Sequence, residues 1–146
     1  SGRAARRRRV LMVQEALNRD ALRESWAIQA EASALGFDWP EVGGVLDKIA
    51  EELAELRDAL GRGDCDAIQH ELGDLFLAAV NAARFLEIDP AQALLAANAR
   101  FMRRFALVKT LAAEAGLPMK TCSPEQLDML WSEAKVREHH TLENTP

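Results

Sequence analysis

The sequence contains no tyrosine, and aromatic residues make up only 5% of it. Strands draw heavily on aromatic and β-branched side chains, so this scarcity argues against a sheet. Cysteine is equally sparse. Cys65 and Cys122 are the only two and form no CxxC, the usage of a reduced, cytoplasmic protein rather than a disulfide scaffold. No apolar run approaches the length of a membrane span. Basic charge is not in excess either: 18 Lys and Arg face 23 Asp and Glu, for a net charge of -5. Nucleic-acid binding without sequence preference needs a broad basic face, which this balance does not supply. An anionic small ligand stays open if metal ions contribute the positive charge. Arg3 and Arg6 to Arg9 do form a basic run, but Gln14, Glu15 and Asn18 follow too soon for a signal-peptide segment. Residues 1–10 and 139–146 are expected to be flexible tails. Glu-x-x-His is absent as well, which demotes a ferritin-like di-iron bundle.

What is present favours helix. Alanine and leucine abound, the hydrophobic fraction is 49% and the charged fraction 28%, and 146 residues suit one domain, with a core over about 22–136. Punctuation divides the chain into about five helices. The first runs from about Leu11 to Leu35 and stops at Gly36. Pro40 suits the first position of a second helix that reaches Leu60 and ends at Gly61-Arg62-Gly63. Asp64 or Asp66 can cap the third, which runs to about Leu86. Asp89-Pro90 opens the fourth, with Gly116 as its stop. Ser123 and Gln126 have capping-box spacing for the fifth. No segment alternates with period two over strand length, and the connections are short. An all-α antiparallel helix bundle follows.

Two acidic pairs stand out on these helices: Glu52 with Glu55, and Glu71 with Asp74. Residues three apart share a helix face. Two such faces opposed across a hairpin make a four-carboxylate cage, and all-oxygen cages suit hard cations, magnesium above all. In the second helix Glu51, Glu52, Glu55 and Lys48 are expected to share one arc. Val45, Ile49, Leu53, Leu56 and Leu60 are expected on the opposite, packed side. Taken alone, that is an ordinary amphipathic helix with a solvated acidic stripe. The third helix is different. Ile68, Leu72, Leu75, Phe76, Leu77 and Val80 make it apolar nearly all round, so it is expected to be largely buried. Two carboxylates about 5 Å apart there repel by roughly 3 kcal/mol at an effective dielectric of 20, a cost that a metal ion would offset. Asn81, seven residues after Asp74, adds a polar group to almost the same face. His70 is expected to point about 100° away from Glu71, and His139 and His140 fall in the polar tail.

Two further pairs complete a nucleotide-site part list. Arg100 and Arg104 are four apart, as are Trp131 and Lys135. Guanidinium and ammonium groups bind phosphate oxygens, and an indole can stack on a base or ribose.

These segments together resemble the MazG family of nucleoside triphosphate pyrophosphohydrolases, within the all-α NTP pyrophosphatase group. The resemblance runs from about Leu22 to Lys135. It includes Gly36-Phe37-Asp38-Trp39-Pro40, EExxE at Glu51 to Glu55, ELGDL at Glu71 to Leu75, Val80 to Arg84, Asn98 to Phe105, and Trp131 to Lys135. It implies hydrolysis between the α and β phosphates, giving NMP and pyrophosphate. It also implies magnesium, with manganese as a substitute, on Glu52, Glu55, Glu71 and Asp74. Arg100, Arg104 and Lys135 would bind the triphosphate and Trp131 the nucleoside, with Lys48, Asn81 and Asn98 as further substrate contacts. Glu51 is the candidate general base. Arg100 stands where the family motif usually has Lys, which keeps the charge and changes its geometry. The resemblance further implies a stand-alone form and a homodimer or dimer of dimers. A sibling dUTP or dCTP hydrolase, a phosphoribosyl-ATP pyrophosphatase and a non-catalytic nucleotide sensor are the competing readings.

Overall fold

The structure is a computed structural model that describes residues 2–8 and 20–144. The expected start of the first helix, Leu11 to Arg19, lies outside the described residues. Among the described residues there is no strand, and the chain is all-α as expected. Residues 2–8 are helical and exposed. Five longer helices follow: α1 (Ala21–Ala34), α2 (Val42–Arg62), α3 (Cys65–Phe85), α4 (Pro90–Glu114) and α5 (Pro124–Glu143).

Capping chemistry sets these boundaries. The Asp20 carboxylate accepts from the Arg23 amide to open α1, and Asp64 does the same from Ala67 for α3. Gly63 ends α2 in the left-handed region at φ 66°, its amide reaching back to Ala59 and Leu60. At α5 the Ser123 hydroxyl accepts from the Gln126 amide while the Gln126 side chain accepts from the Ser123 amide, the expected capping box. Three boundaries differ from expectation. Asp20 is a non-helical N-cap, so α1 opens at Ala21 rather than running continuously from Leu11. Glu41 occupies the N-cap of α2 without a side-chain cap, so Pro40 lies outside the helix. Helix α5 continues past Glu138 to Glu143.

The chain divides into two compact units, residues 1–91 and 92–146. In the first, α2 and α3 form a hairpin through Gly63-Asp64, and α1 packs on α3. Its buried apolar residues are small: Val45 and Ala59 on α2, and Ala78, Val80 and Ala82 on α3. Small side chains at the contact let helix axes approach closely. In the second unit, Val108, Leu111 and Ala112 of α4 pack with Leu130 and Ala134 of α5. A fully buried Val or Leu contributes about 1.5–3 kcal/mol.

Two packing expectations are overturned. Val45 does not lie opposite Glu52. They are seven residues apart, nearly two turns, so Val45, Glu52 and Ala59 form one inward line. Leu46, Leu53 and Leu60 form a separate exposed stripe. Nor is α3 largely buried. Leu72, Leu77 and, at 63% exposure, Phe76 face outward from this chain.

Candidate metal and nucleotide site

The hairpin brings the acids level. Glu55 stands eight residues before Gly63 and Glu71 eight after; Glu52 and Asp74 stand eleven before and eleven after. Equal rise on both arms returns these positions to one height. Carboxylate oxygens of Glu52, Glu55 and Glu71 lie within 4.8 Å of one another. Glu52 is the buried charged residue of the described chain, at 4% exposure. One of its oxygens, Oε1, accepts from Lys48 Nζ at 2.9 Å. The other, Oε2, is buried with no hydrogen-bond partner among the described residues, and so is Glu71 Oε2. An unsatisfied buried polar atom costs about 1–3 kcal/mol, more when charged.

Charge crowding shows in Glu55. Lost solvation around its carboxyl is the largest influence raising its pKa above 4.5, followed by the charge of Glu52 and the neighbouring Glu71 carboxyl. The residue as a whole is exposed, yet its carboxyl oxygen is the part turned to the other two acids. Two orphaned oxygens and a third carboxyl held against its preference form a donor set that fits a hard divalent cation.

Asp74 takes a different place from the one expected. Its Oδ2 lies 3.1 Å from His70 Nε2, and the two residues form a second group with Glu71 within 4.8 Å. Glu71 is common to both groups. His70 was expected to point away; its signal was the four-residue spacing to Asp74 rather than its neighbourhood to Glu71. Glu51 is not in the three-carboxylate group. Its exposed carboxylate accepts from Lys48 Nζ at 3.2 Å, so Lys48 spans Glu51 and Glu52 and its own pKa is raised by both.

Farther along α3, Asn81 enters a polar network unread in the sequence. Arg84 donates from Nε to Asn81 Oδ1 at 2.9 Å and from a terminal nitrogen to Asp38 Oδ1 at 2.7 Å. Ser33 Oγ donates to Asp38 Oδ2 at 2.6 Å, and the Trp39 amide donates to Asp38 Oδ1. The Arg84 hydrogen bond, then that of Ser33, hold Asp38 down from 3.8 to about 2. The available signal was Asp38 within the Gly36–Pro40 turn and Arg84 at the end of the Val80–Arg84 stretch.

In the unit of residues 92–146, Arg104 is engaged. Its Nε donates to Glu138 Oε2 at 2.9 Å, and its guanidinium lies 5.2 Å from the Trp131 ring centre. Phe101 packs on the same indole at 5.5 Å. Glu138 was missed; it lies seven residues after Trp131 on the same face of α5. Arg100, Lys135 and Asn98 are exposed.

Comparison with known proteins agrees with this geometry. Residues 43–106 match the MazG nucleotide pyrophosphohydrolase domain, a span holding the whole acid hairpin. The chain is 41% identical over 115 residues to a nucleoside triphosphate pyrophosphohydrolase/pyrophosphatase MazG of Thermotoga maritima, covering 79% of this chain and 44% of that protein. It is 36% identical over 120 residues to a nucleoside triphosphate pyrophosphohydrolase of Escherichia coli K12, covering 81% and 46%. A Bacillus subtilis protein, the uncharacterized YabN, is 40% identical over 74 residues, 51% of this chain and 15% of its own length. The chain thus spans about half the length of the first two relatives. The EExxE and ExxD acids brought together on one hairpin lie inside the span that matches the MazG nucleotide pyrophosphohydrolase domain.

Proposed function

We propose that the chain is a magnesium-dependent nucleoside triphosphate pyrophosphohydrolase that cleaves between the α and β phosphates to give NMP and pyrophosphate. The observation that carries this reading is the pair of buried, unpartnered oxygens on Glu52 and Glu71 beside the crowded Glu55 carboxyl. The names of the relatives support the reaction class.

Glu52, Glu55, Glu71 and Asp74 would hold the magnesium ion, with manganese as a substitute. So bound, it would neutralise phosphate oxygens and lower the pKa of a coordinated water. The chain's own groups do the rest. Lys48 offsets part of the acid charge and fixes Glu52 Oε1, leaving Oε2 for the ion. Glu51 keeps its carboxylate outside the three-acid group and open to solvent, which suits a residue that orients water or takes its proton. Arg100 and Lys135 have no ion pair among the described residues and serve as cations for the phosphates. Arg104, tied to Glu138 and lying on Trp131, holds the indole in place for the ribose of the nucleoside. Asn98 is an exposed substrate contact.

Exposed Leu46, Leu53 and Leu60 on α2 and Phe76 on α3 support a homodimer or a dimer of dimers, which light scattering would test. Among the described residues no helix is long and apolar enough to cross a membrane, and the proposed compartment is the cytoplasm.

The deciding assay offers each NTP and dNTP with magnesium and identifies products by phosphorus NMR. NMP with pyrophosphate is the expected result. NDP with phosphate, or no turnover, would sink the reading. Glu51→Gln should cut kcat at least about a hundredfold with little change in nucleotide affinity; near wild-type kcat would remove Glu51 from the reaction.

A further inference from the structure

A groove of about 420 Å³ lies between α1, the Gly36–Pro40 turn and α3, apart from the carboxylates. We propose that it is the subsite that reads the nucleobase. This inference rests on the nucleotide reading above and deepens it.

The groove's position relative to the acids is the first argument. Asp74, Leu77, Asn81 and Arg84 recur at three, seven and ten residues and form one stripe of α3. Asp74 stands at the acid end and Asn81 in the groove, seven residues on, about 10 Å along the axis. That is the reach of a nucleoside from its α-phosphate to the far edge of its base.

The groove's chemistry is the second. Phe37, 84% exposed, and Trp39, 41% exposed, offer aromatic surface to a planar ring. The Trp39 ring lies against Gly44, where an added Cβ would come within 2.7 Å of the indole. A glycine at that point of α2 therefore lets the ring sit down on the helix. The one cation among the described lining residues, Arg84, is neutralised by Asp38 at 2.7 Å, and its side chain is only 11% exposed. A spent cation suits a neutral heterocycle and not a phosphate.

The third argument is orientation. Arginine has donors and no acceptor. Arg84 therefore fixes Asn81 with Oδ1 turned toward it, and Asn81 Nδ2 remains a donor. Gln29 is fixed the opposite way. Its Nε2 donates to Ser25 Oγ at 3.1 Å and to the Leu77 carbonyl at 3.3 Å, so Gln29 Oε1 remains an acceptor. One donor and one acceptor, each locked by the chain, are what reading a base edge requires.

Asn81→Asp isolates this property. The carboxylate it introduces would still accept from Arg84, while the atom at the Nδ2 position would change from donor to acceptor. The experiment titrates adenosine, guanosine, cytidine and uridine, without metal, into nitrogen-15-labelled protein. It follows the Trp39 indole and the Asn81 and Gln29 carboxamides by NMR, whose spectra also report whether each variant folds. The expected result is saturable shifts at these three groups. In Asn81→Asp the best nucleoside should bind about ten-fold more weakly and the order of the four should change. Gln29→Glu provides a second reading, since it keeps an acceptor and adds charge. The kcat/KM ranking of the triphosphates should change alongside, through KM. Nucleosides that leave these resonances unmoved, or an order unchanged in both variants, would overturn the assignment even if triphosphates are cleaved. Nucleoside binding in the groove without cleavage of any triphosphate would uphold the subsite and overturn the pyrophosphohydrolase reading instead.

Discussion

The two ends of α3 handle polar groups in opposite ways. Near its start, Glu71 leaves one buried oxygen without a partner and crowds Glu55, while Asp74 leans on His70. Ten residues after Asp74, Arg84 closes a network in which Asn81, Asp38 and Ser33 are joined at 2.6–2.9 Å. One end is an arrangement that a cation would relieve. The other is complete as it stands. A folded chain gains nothing from like charges brought together, so the strained end points to a ligand and the satisfied end to positioning. Lys48 shows the boundary between the two: it satisfies one oxygen of Glu52 and leaves the other.

That contrast is open to attack at each end. The largest effect is expected at the strained end. Glu71→Gln should lower kcat/KM at least about a hundredfold, while the metal-free variant melts at or above the wild-type temperature because repulsion with Glu55 is relieved. A variant that melts far lower would mean that Glu71 holds the fold. Arg84→Ala should reverse the pattern. Asp38 and Asn81 lose their shared donor, so the melting temperature should fall by several degrees, while magnesium dependence of any residual activity stays in place.

The pH profile should separate the ends more finely. Glu55 has a raised folded pKa, so it binds protons more readily folded than unfolded. Its charged form opposes folding. Metal-free protein should therefore gain stability as pH falls from neutral toward 4.5, and magnesium at neutral pH should remove that gain. Asp38 has the opposite sign. Its contribution is full above 3.8 and is lost as pH falls toward 2. Melting curves of Glu55→Gln should lack the first slope and keep the second; an unchanged first slope would assign it to another group.

How much of this was legible in the sequence follows from range. Helix ends were, because caps are local: Asp64, Gly63 and the Ser123–Gln126 box act within a few residues of themselves. The acid hairpin was legible because a short turn returns equal spacing to equal height. The inward direction of α2 was not. Polarity alone put Glu52 on the solvent side, yet its seven-residue spacing to Val45 and Ala59 places it inside. The burial of α3 was overstated, since an apolar helix need not be covered by its own chain. The Asp38–Arg84 pair was invisible because 46 residues separate its partners, and nothing local marks such a contact.

The central claim is that the hairpin's unsatisfied carboxylates hold a divalent cation. Titrating manganese into metal-free protein, and following free manganese by electron paramagnetic resonance, tests it most directly. Saturable binding in the wild type, displaced by magnesium, lost in Glu71→Gln and retained in Asn81→Asp, is the predicted result. Binding unchanged by Glu71→Gln, or none in the wild type, would contradict it.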